Sequence, residues 1–388
     1  MPPIQLLIKP VSGACNMRCR YCFYADEMQH RDTPLLGRME YGTLETIVRK
    51  TLEHSEKQCM FVFQGGEPTL AGLQFYQKLD EFVAKYNTRR LEVQYAIQTN
   101  GYVIDRAWAE WLAEHHYLVG LSLDGPRNLH DRYRRDARGE GTFDRAMQAA
   151  DLFAQYGAQF NILCVVTAQA ARNITNIYQF YKKHNFLYQQ YIPCLEPLGA
   201  EGSGSAYSLT PPLYGAFLKR LFDLWYEDWR GGTYIYNRTF ENWIGMIRGI
   251  PPELCGMSGR CSPQLVVEAT GMVYPCDFYV LDPYELGNLN ECSFAEIERR
   301  RAEIGFIQQS GQLDPACRSC RWGFLCRGGC RGYREPMSAQ APQKNMYCTA
   351  FQSFFAYAWS RMAQMASEGR QGGAKQQTSP SAPHPFPV

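Results

Sequence analysis

The sequence predicts an α/β fold, a partial (β/α)6 TIM-like parallel barrel followed by a smaller cysteine-rich domain. Three observations predict it. From residue 1 to about 235, apolar runs of strand length alternate with helical stretches, the pattern of successive βα units on a parallel sheet. Polar, glycine-bearing segments follow those runs, and the chemistry of such barrels gathers at the C-terminal ends of the strands. Beyond Pro251-Pro252 the periodicity gives way to closely spaced cysteines. The expected organisation is a barrel over 1–235, a cysteine-rich domain over 236–366 and a disordered tail over 367–388, rich in Gly, Gln, Ser and Pro.

Ile4–Ile8 reads as the first strand and opens onto Cys15-Asn16-Met17-Arg18-Cys19-Arg20-Tyr21-Cys22. A helix over Tyr41–His54 and a strand over Cys59–Phe63 lead to Gln64-Gly65-Gly66-Glu67-Pro68. Its paired glycines let the backbone approach a ligand, and Glu67 or exposed amides suit an amino or carboxylate group; a plain tight turn is the alternative. A helix near Leu73–Tyr86 and a strand over Leu91–Gln98 precede Gln98-Thr99-Asn100-Gly101. A helix near Asp105–His115 and a strand over Leu118–Leu123 end in Ser122-Leu123-Asp124-Gly125-Pro126. Polar residues closing four successive strands read as one pocket. In Arg132-Tyr133-Arg134-Arg135-Asp136 the choice lies between a solvated loop and one arginine gripping a carboxylate with both arms.

A helix near Phe143–Tyr156, a strand over Phe160–Val166, a helix near Ile174–His184 and a strand over Tyr188–Ile192 complete the series. An aromatic-rich helix within 211–232 packs on the barrel, and another near Thr239–Arg248 leads to the junction. Leu265–Glu268 and Met272–Tyr274 flank Ala269-Thr270-Gly271 as a hairpin, which should bring Cys261 and Cys276 together. A final helix covers 351–365.

Composition narrows the class. With 45% hydrophobic residues the chain can build a core, and a net charge of +2 gives no pull toward nucleic acid or an anionic membrane. No signal peptide and no apolar run long enough for a bilayer are present, so the expected compartment is the cytoplasm. Fifteen cysteines in a long chain without an export signal point to metal or cluster ligation rather than disulfides. Cys59, Cys164, Cys194 and Cys292 fall outside the clusters and read as structural thiols.

Cys15, Cys19 and Cys22 are one thiolate short of a closed site, so a [4Fe–4S] cluster held there keeps one iron open to a small molecule. Downstream, Cys255, Cys261, Cys276, Cys317, Cys320, Cys326, Cys330 and Cys348 suffice for two closed clusters, or for zinc ribbons, since CxxC alone does not discriminate.

CxxxCxxC after the first strand and Gly-Gly-Glu-Pro after the second resemble the radical S-adenosylmethionine superfamily. The downstream array C-x9-G-x4-C, C-x2-C-x5-C-x3-C and a last C is similar to its SPASM extension. Met1-Pro2-Pro3, Cys22-Phe23-Tyr24, Phe63 to Leu70, Asn161 to Thr167 and Tyr274 to Val280 resemble the anaerobic sulfatase-maturating enzymes, a likeness that runs to about Ala366. It implies oxidation of a Cys or Ser in a Cys/Ser-x-Pro-x-Arg motif of a sulfatase to Cα-formylglycine without oxygen. It implies three [4Fe–4S] clusters and S-adenosylmethionine as cofactors, an unfolded or nascent sulfatase as substrate, and an electron donor such as flavodoxin or ferredoxin.

Residue by residue, the resemblance gives Cys15, Cys19 and Cys22 the radical-forming cluster. Cofactor contacts fall at Tyr21, Gln64, Gly65, Gly66, Glu67, Ser122, Arg134 and Leu195. Cys255, Cys261, Cys276 and Cys330 match the ligands of one auxiliary cluster, and Cys317, Cys320, Cys326 and Cys348 those of the other. Asp277 matches the base that takes the thiol or hydroxyl proton, while the auxiliary clusters take the electron; hydrogen-bonding an amide beside Cys276 is its structural alternative. Two other readings stand beside this one. One is a different radical modification of a ribosomal peptide, thioether formation or epimerisation, against which the early first strand leaves no room for a leader-binding domain. The other is a non-catalytic iron–sulfur or zinc protein, which leaves the barrel pocket unexplained.

Overall fold

Chain order in the computed structural model, which describes residues 4–199, 204–334 and 343–369, follows the βα alternation closely. β1 (Ile4–Ile8) leads through the cysteine loop to α1 (Phe23–Gln29) and α2 (Tyr41–His54). Next come β2 (Gln58–Phe63), α3 (Leu73–Tyr86), β3 (Glu92–Thr99), α4 (Arg106–Glu114), β4 (Leu118–Ser122), α5 (Arg127–Tyr133) and α6 (Phe143–Tyr156). Then follow β5 (Phe160–Val166), α7 (Ala168–Arg172), α8 (Ile174–Lys183), β6 (Tyr188–Pro193), α9 (Pro211–Arg230), β7 (Tyr236–Asn237) and α10 (Arg238–Ile247). The last part holds β8 (Leu265–Val267), β9 (Met272–Tyr274), β10 (Gly287–Asn288), α11 (Phe294–Glu303), three short helices α12 (Phe306–Ser310), α13 (Pro315–Arg318) and α14 (Gly323–Cys326), and α15 (Cys348–Glu368).

These elements form two compact units, each drawn from separated stretches: Met1–Ser122, Arg134–Phe160 and Pro263–Ile307 in the first, and Leu123–Tyr133, Asn161–Ser262 and Gln308–Val388 in the second. In the first unit the strands lie in the order β10-β9-β8-β1-β2-β3-β4. β1 to β4 are parallel, with Leu6 opposite Phe61 and Phe61 opposite Tyr95. Leu6, Leu7, Ile8, Phe61, Val62 and Phe63 are at most 1% exposed, as expected of parallel strands covered on both faces. Each such side chain contributes about 1.5–3 kcal/mol by leaving water.

The expected hairpin forms, with Val266 opposite Tyr274. Its first strand also pairs with β1 in parallel, Leu6 opposite Leu265, a pairing that hairpin spacing alone does not announce. That pairing brings the segment after β9, including Cys276 and Asp277, to the end of β1; Cys261 lies in the second unit.

In the second unit β5, β6 and β7 run parallel. Pro211 and Pro212 start α9 where their missing N–H groups cost nothing. Its aromatic stripe meets α15 and α10, with Phe222 5.7 Å from Phe354 and 5.2 Å from Phe240. α15 runs from Cys348 to Glu368, longer than the expected 351–365, so Ser367 and Glu368 close a helix rather than open a tail. The rest of the expected tail, 370–388, lies outside the described residues, as do Met1-Pro2-Pro3. Cys59, Cys164 and Cys194 are buried and Cys292 is half-buried. No helix among the described residues is long and apolar enough to cross a membrane.

Candidate functional site

The cysteine loop leaves β1 and is held by the ends of the neighbouring strands. Met17 N–H donates to Cys15 Sγ at 3.3 Å, and the Cys22 thiol accepts from Ala25 N–H at 3.4 Å as it caps α1. Gly66 N–H donates to Ser12 O at 2.8 Å and Glu67 N–H to Ala14 O at 2.9 Å. A Cβ on Gly66 would meet Ala14 O at 2.1 Å, so this glycine lets one loop lie against the other. These two amides therefore hold the cysteine loop and are not exposed for a ligand.

Glu67 is spent in the same way: its carboxylate accepts from Thr69 N–H, Thr69 Oγ1, Thr99 Oγ1 and Asn100 N–H at 3.2, 2.5, 2.7 and 2.8 Å. Asn100 in turn donates to Asn16 Oδ1 at 2.8 Å. The basic segment closes another side, with Arg18 N–H donating to Arg135 O at 2.7 Å and Arg134 lying over the Tyr21 ring at 5.4 Å. Ser122 ends β4 in this unit, half-buried, whereas Leu195 follows β6 in the second unit. Burial pushes the Cys15 thiol up to about 12, with Glu67 adding to it, and burial raises Cys22 as well. Binding of metal here must therefore displace protons.

Asp277 sits beside this loop at 2% exposure. Its two oxygens are both engaged: Lys9 Nζ is 2.5 Å from Oδ1, and Gln64 Nε2 donates to Oδ2 at 2.9 Å. Lys9, the residue directly after β1, is fully buried and also lies 3.7 Å over the Tyr24 ring. Tyr24 donates to Glu268, which pairs with Arg31 at 2.9 Å, while Arg31 Nε donates to Val280 O at 2.5 Å. Burial, then the nearby Asp277 carboxylate, hold Glu27 well above the usual carboxylate range. Beside it, two cations, Lys9 and Arg31, pair with two carboxylates, Asp277 and Glu268.

Lys9, Glu27, Arg31 and Glu268 carry no sequence signature. A charged residue directly after an apolar strand, as Lys9 follows β1 and Glu268 follows β8, was the available signal. Gln64 Oε1 is buried without a hydrogen-bond partner among the described residues, a feature that suits a ligand beside Asp277.

The second unit gathers thiols in two places. Cys317, Cys320, Cys326 and Cys348 line one cavity of about 70 Å³, and four thiols are the donor set of a closed cluster. Among the described residues, no group of three or more His, Cys, Asp or Glu stands close enough to hold a single metal ion. Cys255, Cys261 and Cys330 form the other group. Burial pushes the Cys330 thiol up to about 12, with Cys255 and then Cys261 adding to it, and a Cβ on Gly256 would stand 3.2 Å from Cys330 Cβ.

Comparison with known proteins agrees with this donor chemistry. Residues 10–177 match the Radical SAM superfamily, and residues 255–321 match SPASM, an iron–sulfur cluster-binding domain. A cysteine-type anaerobic sulfatase-maturating enzyme of Clostridium perfringens is 43% identical over 367 residues, 95% of this chain and 99% of that protein. A serine-type enzyme of Bacteroides thetaiotaomicron is 30% identical over 386 residues, 94% of this chain and 92% of that one. Among solved structures, native anSMEcpe with bound AdoMet and a Cp18Cys peptide superposes with a TM-score of 0.90 at 43% identity, covering 95% of this chain and 99% of that chain.

Proposed function

The chain belongs to the anaerobic sulfatase-maturating enzymes, radical S-adenosylmethionine proteins with a SPASM domain, and on that premise we propose that it converts a sulfatase cysteine to Cα-formylglycine. The greater likeness to a cysteine-type enzyme, 43% against 30% for a serine-type one, favours cysteine in the Cys-x-Pro-x-Arg motif over serine. The observation that carries the chemistry is the buried Asp277 carboxylate, held at both oxygens in the same unit as the cysteine loop.

Cys15, Cys19 and Cys22 would hold the open cluster, and Tyr21, Gln64, Gly65, Gly66, Ser122 and Arg134 of the same unit would line the cofactor; Glu67 serves it through the loop it fixes. The second-unit cysteines would hold the auxiliary clusters. Bound there, these groups supply the radical that removes a Cβ hydrogen and the sink for the electron the substrate then gives up. The protein's own share is positional and acid–base. Asp277 accepts the proton of the substrate thiol, within hydrogen-bond reach, while Lys9 and Gln64 keep its oxygens aimed. The low exposure of Lys9, Tyr24 and Asp277 keeps water from competing for that proton.

The substrate is an extended sulfatase peptide, the electron donor a flavodoxin or ferredoxin, and the site of action the cytoplasm. The test is anaerobic turnover of a Cys-x-Pro-x-Arg peptide and its serine twin by reconstituted protein, with hydrazine trapping of the aldehyde and mass spectrometry. Aldehyde from the cysteine peptide, at several-fold the serine rate, is expected. Cleavage of S-adenosylmethionine with both peptides unchanged would sink the proposal.

A further inference from the structure

In the second unit a set of buried guanidinium groups surrounds the cysteines of one auxiliary cluster. Arg238 is 1% exposed, Arg334 3% and Arg331 6%. Arginine is seldom so buried, and a cation is costly there unless an anion compensates it. Arg238 is placed worst of the three. It is the first residue of α10, following its N-cap Asn237, where the helix dipole already presents partial positive charge.

Its hydrogen bonding is incomplete. Nη1 donates to Gln190 Oε1 at 2.9 Å, but Nε and Nη2 find no hydrogen-bond partner among the described residues. The nearest carboxylate the structure gives it is Glu253, 3.9 Å from Nε, 37% exposed and also bonded by the Tyr236 hydroxyl at 3.1 Å. Glu253 stands two residues before Cys255. Its stretch is tied to α10, because Asn242 Oδ1 accepts from Glu253 N–H at 2.6 Å and from Leu254 N–H at 3.3 Å. Asn242 also donates to Arg238 O at 2.8 Å, so Arg238 adjoins the segment that leads into Cys255, and its charge and that thiol's act on each other. Arg334 donates to Ser310 O and Gln312 O at 2.5 and 3.1 Å, and Ser310 Oγ accepts from Cys261 N–H at 2.8 Å.

A four-thiolate cluster is net negative and gains one further negative charge on reduction. A buried cation therefore stabilises the reduced form more than the oxidised one, and N–H donors aimed at the sulfurs act in the same sense. We propose that Arg238 is a redox-tuning residue that raises the reduction potential of the auxiliary cluster held through Cys255, Cys261 and Cys330, with the buried charges of Arg331 and Arg334 acting in the same sense. The inference rests on the presence of that cluster and is independent of which peptide the enzyme modifies.

The test is an electron-paramagnetic-resonance potentiometric titration of the full chain, reconstituted anaerobically, with no peptide added. Arg238→Met and Arg238→Gln remove the charge, and Arg238→Lys keeps it. In both neutral variants the midpoint of one auxiliary couple should fall by at least 59 mV, a tenfold change in a one-electron equilibrium. The lysine variant should stay within that bound, and the remaining couples should not move. An unchanged midpoint in a neutral variant with full iron content overturns the proposal. So does loss of iron from both neutral variants, which would make Arg238 an assembly residue instead.

Discussion

Removing Lys9 should separate radical formation from its use. Lys9 and Asp277 are 268 positions apart in the chain and meet at 2.5 Å with almost no solvent between them and their neighbours. Taking one partner from a buried pair leaves the other uncompensated, a loss of about 3–5 kcal/mol, whereas replacing both by apolar groups can be nearly neutral. Lys9→Met should therefore lower thermal stability and peptide oxidation while still yielding 5′-deoxyadenosine. Lys9→Met combined with Asp277→Leu should recover most of the stability and none of the oxidation. Thermal unfolding and product ratios on matched iron contents distinguish the two. If the double variant is no more stable than Lys9→Met, the pair is not the coupled unit described here.

Helix α3 carries a half-buried acid whose behaviour depends on pH. Asp80 on α3 stands 3.3 Å from His115, which follows α4, and burial lifts its carboxyl from the ordinary 3.8 to about 6, with His115 pulling the other way. Between those values the folded state holds a proton that the unfolded chain releases. The stability present below the lower value is therefore lost as pH rises through the upper one. Asp80→Asn should raise the unfolding midpoint at pH 8, by up to about 3 kcal/mol in stability, and by roughly half as much at pH 5. An equal gain at both pH values would contradict the burial assigned to Asp80. Elements of this kind were largely legible in the sequence, because α2, α3 and α6 show clean helical periodicity and β2 and β5 are continuous apolar runs. The cysteine loop and Asp277 were legible from spacing and resemblance. Lys9, Glu268 and Arg238 were not, since what gives each its role is a partner distant in sequence: Asp277 for Lys9, Arg31 for Glu268, Gln190 for Arg238. The pairing of β8 with β1 was equally hidden, because three-residue strands carry too little pattern to name a neighbour.

Across the whole molecule, packing and thiol ligation divide the work of holding segments together. α15 buries Phe354, Phe355, Ala358 and Met362, and its contacts with Phe222 and Trp243 do not involve a cysteine. The stretch 313–334 differs. Its helices α13 and α14 are four residues each, too short to be stable alone, and Trp322 and Leu325 are its buried apolar side chains. Four thiols, at Cys317, Cys320, Cys326 and Cys348, join this stretch to the start of α15 around one cavity. The free energy that orders 313–334 should then come mainly from ligation, as in small metal-dependent folds. Removing iron anaerobically with a chelator should erase amide-exchange protection in 313–334 while α15 and β1 to β4 keep theirs. Burial pushes the Cys326 thiol up to about 11, so protons compete with iron for it at neutral pH. Iron should therefore be stripped faster at pH 6.5 than at pH 8.5. Simultaneous loss of protection in α15 and 313–334 would instead show that the cluster supports the packing of the unit as a whole.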